Sequence, residues 1–359
     1  DAHHAADVQD AITVLINDKN AELATAAQQT MQTLVTRFGS KTSNASMAAP
    51  APVARVDDLA EDVSLNLDFS ELHRRNIIDA TKLKTGDMFA NRYRVIRHVG
   101  KGAFGVVVLV EDTVVRDEFI LKFLNPHFAA DSEMIKRFTQ ELRYSRKITH
   151  ENVIRIYDLV SHKNTYAISM EYFSSHPLAD EIRNGKKLSI QRGLKLLDEI
   201  CDGMSAAEQV NVVHRDLKPS NILINDHDLV KIVDFGLAAA ASCLDSRLTK
   251  TGILLGTPTY MAPEQIKGNN IDSKTDIYSL GIIMYEMFTG IAPYKGDGSL
   301  AVMYQHVEGN AKPPRALSPE IPVSLEAVIL KSIAVDPSQR FDSFTALREQ
   351  LQSVARELQ

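Results

Sequence analysis

Cysteine is nearly absent from this 359-residue chain: Cys201 and Cys243 are the only two, too few for a disulfide framework or a structural zinc site. No apolar run approaches the length needed to span a bilayer, and the first residues carry no signal-peptide pattern. Positive charge is not in surplus either. A formal net charge of -6 argues against a chain built to coat nucleic acid or anionic membrane, and no basic patch with interleaved aromatics is present. A reducing, cytoplasmic setting is the simplest expectation. The remaining composition is ordinary for a globular protein, 44% apolar and 24% charged. That length suits two domains plus a linker, or one large two-lobed domain with an appendage. The chain opens at Asp1 with no methionine, which points to a fragment of something longer.

Three zones differ in composition. Residues 1–38 read as a helical hairpin turning at Asp18-Lys19-Asn20, with Val8, Ile12, Leu15 and Ile16 on one face of its first helix. This pair is similar to the last hairpin of a helical repeat array, although a single hairpin shows no period. Residues 39–91 read as a flexible linker rich in Ala, Ser, Pro and Thr. Within it a short amphipathic segment near Phe69 to Ala80 is a solvent-facing helix or an autoinhibitory plug. From Arg92 the pattern turns to short β-branched strands around Tyr93–Ile96, Val106–Val110 and Phe119–Lys122. A charged helix from about Ser132 to Ile148 follows, and after Ser175 the chain is mostly helical. The expected architecture over 92–352 is α+β: a strand-rich first lobe, a helical second lobe and a ligand cleft between them, with 353–359 as a tail.

The densest chemistry lies in His214-Arg215-Asp216-Leu217-Lys218-Pro219-Ser220-Asn221, followed shortly by Asp234-Phe235-Gly236. These turns hold a candidate base, Asp216, and a cation, Lys218. They also hold two oxygen ligands suited to a hard octahedral cation such as Mg2+, Asn221 and Asp234. That inventory fits moving a phosphoryl group from a nucleoside triphosphate onto a hydroxyl. Upstream, Gly100-Lys101-Gly102-Ala103-Phe104-Gly105 lies between two strands, whereas a dinucleotide fingerprint opens a helix. Alone it is a β-turn. With Lys122 two strands later, it reads as a cover whose backbone N–H groups approach phosphate oxygens. Lys122 ends an apolar strand, where burial requires a partner, and Glu141 on the charged helix is the expected one.

The segment from about Arg92 to Leu351 resembles the protein kinase catalytic domain, most closely the eukaryotic-type Ser/Thr kinases found in bacteria. Gly256 to Glu264 is similar to the end of an activation segment, and Asp276 to Gly281 to the buried helix that anchors the catalytic loop. Arg340 stands where the family places the ion-pair partner of Glu264. The resemblance implies a bilobal protein kinase fold with ATP and Mg2+ in the cleft. Adenine would lie against Val99, Val107, Ile120, Leu223 and the hinge Glu171-Tyr172-Phe173, with Met170 guarding the back. Lys218 and Thr257, which in the family contacts both base and lysine, imply Ser or Thr acceptors on protein substrates. Thr249 and Thr251 resemble the doubly phosphorylated stretch of bacterial relatives. A phosphate there would pair with Arg215 and order the loop, with self-association allowing phosphorylation in trans.

Two positions depart from the family pattern. Ile120 replaces a small alanine above the adenine. Ser145, four residues after Glu141, stands where an apolar member of the internal hydrophobic column is usual. Pro177 sits just past the hinge where basophilic members carry a carboxylate, so no arginine requirement in substrates is expected. The rival class is a scaffold on the same lobes. Such proteins commonly lose the lysine, the loop aspartate or the metal aspartate, and this chain keeps Lys122, Asp216 and Asp234. A small-molecule kinase is disfavoured by the full Ala262-Pro263-Glu264 segment.

Overall fold

The structure, a computed structural model, describes residues 77–102, 105–125, 135, 139, 142–235 and 258–358. The expected N-terminal hairpin lies outside the described residues, as do Glu141, Gly236, Cys243, Thr249, Thr251 and Thr257. Six strands make the first lobe: β1 (Met88–Phe89), β2 (Tyr93–Gly102), β3 (Gly105–Asp112), β4 (Asp117–Leu124), β5 (Ile156–His162) and β6 (Thr165–Glu171). They form one antiparallel sheet in the order β1-β2-β3-β4-β6-β5.

Period-two alternation sorts the side chains of this sheet. Val106, Val108, Val110, Leu121 and Phe123 join an outer cluster with Phe89 and Val95. Leu109, Ile120 and Leu124 face the other way, against Leu142, Ile168 and Met170. Lys122 lies between Ile120 and Leu124 in the alternation and so points to the cleft side of the sheet. Both faces of β4 are covered, which is why its last five residues are buried without interruption.

The sheet begins ahead of the boundary expected at residue 92. Met88 and Phe89 pair with Arg94 and Tyr93, and Phe89 is fully buried with its ring edge-on to Phe123. A single 3-10 turn, Ala80–Lys82, is capped by Asp79 and buries Ala80 in the outer cluster. Residues 77–79 are not helical, so the amphipathic segment does not run as a helix to Ala80. The charged helix also ends earlier than expected, with 142–145 helical and 146–147 in a turn.

The second lobe carries β7 (His176–Pro177), α1 (Leu178–Ile182), α2 (Ile190–Gln209), β8 (Ile222–Ile224), β9 (Val230–Ile232) and α3 (Pro263–Ile266). It closes with α4 (Ser273–Thr289), α5 (Ser299–Glu308), α6 (Val323–Ser332) and α7 (Phe344–Glu357). Helix α4 starts at Asp272, whose side chain accepts from the Lys274 N–H, and ends at Gly290 in the left-handed region. Every residue from Thr275 to Tyr285 is buried, so α4 is a central helix rather than a surface one. Helix α7 packs on α2, where Arg348 pairs with Asp198 at 2.9 Å and also contacts Asp202. Among the described residues no helix is long and apolar enough to cross a membrane.

Candidate active site

Short β-structure brings the chemistry-bearing turns together. In the β8–β9 hairpin Ile222 pairs with Ile232, so Asn221 just before it and Asp234 just after it emerge at the same end. The Val233 N–H donates to the Asn221 carbonyl at 3.0 Å, extending the pairing by one step. Two candidate metal ligands that are 13 positions apart thereby become neighbours. The first lobe joins the same edge, since the Ile154 N–H donates to the Ile232 carbonyl at 2.9 Å.

The loop before β8 is held from below by α4. Both oxygens of the buried Asp276 carboxylate accept backbone N–H bonds, from His214 at 2.6 Å and from Arg215 at 2.8 Å. His214 is fully buried and links the two turns. Its Nδ1 accepts from the Asp216 N–H at 3.3 Å, which leaves Nε2 to donate to the Val233 carbonyl at 2.9 Å. Its ring also packs on Phe235, with centroids 4.7 Å apart. Arg215 and Asp234 both take φ of +68°, a conformation disfavoured for residues with a Cβ and held here by this surrounding grip.

On that frame the Lys218 ammonium donates to Asp216 Oδ2 at 2.7 Å, with each side chain about one-third exposed. The Asn221 amide donates to the Asp216 carbonyl at 2.9 Å, leaving its Oδ1 as the atom with metal-binding capacity. From the first lobe the Lys122 ammonium, 10% exposed, meets Asp234 Oδ1 at 2.6 Å. A candidate base, two cations and two candidate oxygen ligands thus converge from three segments.

The expected cofactor residues surround the same cleft. Gly100, Lys101, Gly102 and Gly105 form the β2–β3 hairpin end, with Gly102 opposite Gly105, while Ala103 and Phe104 lie outside the described residues. Gly105 has φ of +142°, and a Cβ there would sit 1.8 Å from the Phe123 carbonyl oxygen, so no other residue fits. Val99 is exposed next to this hairpin. Val107, Phe173 and Val233 pack against the cluster that holds Ile120 and Met170. Leu223 is half-buried on β8. Ile120 is absorbed by packing on the cleft side, with Met170 as its cross-strand partner. Glu171 turns its carboxylate away, pairing with Lys231 at 3.0 Å and accepting the Arg155 N–H at 3.2 Å. The hinge therefore offers backbone, rather than this side chain, to a ligand.

Two contacts were not foreseen in the sequence. Gln265 donates to the Arg215 carbonyl at 2.8 Å and accepts from the Ala262 N–H at 3.0 Å, tying α3 to the catalytic loop. Its only sequence signal is its place three residues after Ala262, where a glutamine side chain can reach back to a helix start. The hydroxyl of Ser145 donates to the Phe235 carbonyl at 2.9 Å.

Burial pushes the Asp276 carboxyl up to about 6, against the pull of His214 and of the two backbone N–H groups. Because this lies above the ordinary 3.8, the folded chain takes up the proton first as the pH falls. The group therefore adds folding stability on acidification, yet its neutral form holds the loop N–H groups less strongly. Turnover is expected to fall on an acid limb centred near pH 6, ahead of any drop in melting temperature. A turnover profile that stays flat until the chain unfolds would contradict this.

Comparison with known proteins fits this geometry. The pattern of the protein kinase domain matches residues 93–351, and the chain belongs to that family. Its sequence is that of a eukaryotic-like Ser/Thr kinase domain of the bacterial kind. Serine/threonine-protein kinase PrkC of Bacillus subtilis (strain 168) is 34% identical over 258 residues, covering 72% of this chain and 40% of PrkC. Serine/threonine-protein kinase Pkn1 of Myxococcus xanthus is 35% identical over 266 residues, covering 72% of this chain and 38% of Pkn1. The chain thus spans less than half the length of these curated relatives. The crystal structure of the Mycobacterium tuberculosis PknI kinase domain shares the fold, with a TM-score of 0.60 at 24% identity, over 76% of this chain and 98% of that one.

Proposed function

We propose that this chain transfers the γ-phosphoryl group of ATP to Ser or Thr hydroxyls of protein substrates and phosphorylates its own activation segment. The observation that carries this reading is the convergence of Asp216, Lys218, Asn221, Asp234 and Lys122. Lys122, with Glu141 as its expected partner, would hold the α- and β-phosphates under the Gly100–Gly105 hairpin. Adenine would lie among Val99, Val107, Ile120, Leu223 and Met170, bonded to the hinge backbone at Glu171 and Phe173. The site's donors suit Mg2+, because Asp234 and Asn221 present hard oxygens side by side, and this ion usually keeps several water and phosphate ligands. Bound there, the ion would offset charge on the phosphate oxygens.

Asp216 orients the acceptor hydroxyl and takes its proton as the oxygen bonds to the γ-phosphorus. The bond from that phosphorus to the bridging oxygen breaks, and ADP leaves with the electron pair. Lys218 offsets charge gathering on the transferred group, and Thr257, as in the family, would contact both base and lysine. Positioning and electrostatics, rather than covalent chemistry, carry the rate.

Phosphate on Thr249 or Thr251 would meet Arg215 and order the segment. The test is incubation with Mg-ATP followed by phosphosite mapping, beside an Asp216→Asn control. Phosphate on either threonine in the wild type alone is the expected result. A wild type that binds nucleotide yet acquires no phosphate and transfers none to a generic protein substrate would favour a scaffold.

A further inference from the structure

The Ser145–Phe235 contact singled out above joins two parts of the site that the proposed reaction needs together. Ser145 sits on the last helical turn of the segment containing 142–145 and is 4% exposed. The peptide carbonyl it meets is 90 positions away, in the turn that carries the metal ligand Asp234. Phe235 is itself buried, and its ring is held by His214 from the catalytic loop. Phe235 is thus held at its ring by an aromatic contact and at its carbonyl by a hydroxyl.

The surroundings show why a serine matters there. Ser145, Ile156, Ile168, Met170, Asp234 and Phe235 line a cavity with room for about one water molecule. An apolar side chain at 145 would fill space toward Met170 and hold Phe235 through packing alone. Packing is non-directional and fixes volume. A hydrogen bond to a carbonyl also fixes the rotation of the peptide plane. The plane in question follows Phe235, one residue beyond Asp234, whose left-handed backbone decides where its carboxylate points.

We propose that Ser145 is a positioning residue whose hydroxyl sets the Phe235 peptide and thereby aims Asp234 at the metal. This rests on the reading of Asp234 as a metal ligand. Losing the hydroxyl frees the turn to rotate, so the cost falls on metal-dependent steps and spares the metal-free ones.

The test compares Ser145→Thr with Ser145→Val. These share shape and any packing strain, and they differ in a hydroxyl against a methyl; Ser145→Ala is the third variant. In each, ADP affinity is measured by calorimetry without metal and across a Mg2+ titration, and kcat and KM for Mg-ATP follow. The hydroxyl is worth about tenfold by the usual range for one buried hydrogen bond. Val and Ala should therefore raise the Mg2+ half-saturation about tenfold, with metal-free ADP affinity within about twofold of wild type. Thr should restore both. Equal behaviour of Thr and Val, or unchanged Mg2+ dependence in Val and Ala, overturns the proposal. A wild type whose ADP affinity ignores Mg2+ overturns instead the metal-site reading beneath it. Metal-free ADP binding doubles as the check on folding, and a Val variant that has lost it while Thr and Ala retain it leaves the Thr–Ala comparison decisive.

Discussion

Asp216→Asn is expected to lower turnover by about a thousandfold, within the usual range for loss of a positioned base. Mg-ADP affinity should stay within about twofold, since the substitution removes charge and basicity without removing an acceptor. The asparagine oxygen still accepts the Lys218 ammonium, which sits 2.7 Å from the present carboxylate. The backbone carbonyl of residue 216 still accepts the Asn221 amide at 2.9 Å, so the metal ligand keeps its orientation. The loop itself is anchored through the backbone N–H groups of residues 214 and 215 to Asp276, which the substitution does not touch. What disappears is the group that, in the proposed reaction, takes the hydroxyl proton. Steady-state kinetics on a protein substrate, paired with calorimetric Mg-ADP titration, checks both halves. A loss of nucleotide affinity as large as the loss of turnover would mean that Asp216 shapes the nucleotide site rather than serving as the base.

The sequence made this site legible because its chemistry is packed into contiguous runs. Eight residues from His214 to Asn221 and three from Asp234 hold the candidate base, a cation and both candidate oxygen ligands, and turn geometry keeps near neighbours near. The strands around Val106–Val110 and Phe119–Lys122 were equally readable, since β-branched runs between turns have few alternatives. The bilobal fold expected from those elements is the one observed.

What stayed hidden depends on contacts between distant segments. A two-residue strand at Met88–Phe89 has no period to detect, so the sheet reaches ahead of the residues that carry a strand pattern. The direction of the Glu171 carboxylate is decided by Lys231, 60 positions on. Gln265 reaches Arg215 only because α3 packs beside the catalytic loop. Lys122 was matched to Glu141 through the charged helix, and its bond to Asp234 required the lobes to meet. Ser145 stood out as a missing apolar residue, but a carbonyl as its target could not be read from spacing.

Removing Arg340 should produce the largest stability loss in the chain away from the cleft. Its guanidinium is fully buried and forks onto Glu264, with Nη1 at 2.7 Å from one oxygen and Nη2 at 2.8 Å from the other. It also donates to the carbonyls of Ala334 and Lys274 at 2.8 Å and of Val335 at 3.1 Å. Arg340→Ala strips all of these acceptors at once and leaves a buried carboxylate with the Thr275 hydroxyl, 2.7 Å away, and its own backbone N–H. Breaking a buried pair from one side costs about 3–5 kcal/mol. For a domain of this size that lowers the melting temperature by roughly 10 °C. Arg340→Lys should recover little, because an ammonium cannot fork.

The pH dependence distinguishes a charge effect from lost packing. Burial pushes the Glu264 carboxyl up, yet the Arg340 bond and the Thr275 hydroxyl outweigh it and hold it below the ordinary 4.5. A carboxylate whose folded value is depressed contributes stability that is complete above 4.5 and is lost as the pH falls through the folded value. Without Arg340, burial dominates and the carboxyl rises, so the variant gains relative stability when Glu264 is protonated. The gap between wild type and Arg340→Ala should therefore start to narrow above pH 4.5, as the variant's raised carboxyl takes up its proton, and go on narrowing below it as the wild type loses its ion pair. Thermal melts across that range decide the matter. A gap that stays constant with pH would assign the loss to stacking of the guanidinium over Tyr278, whose ring centroid lies 4.8 Å from the guanidinium carbon, rather than to the ion pair.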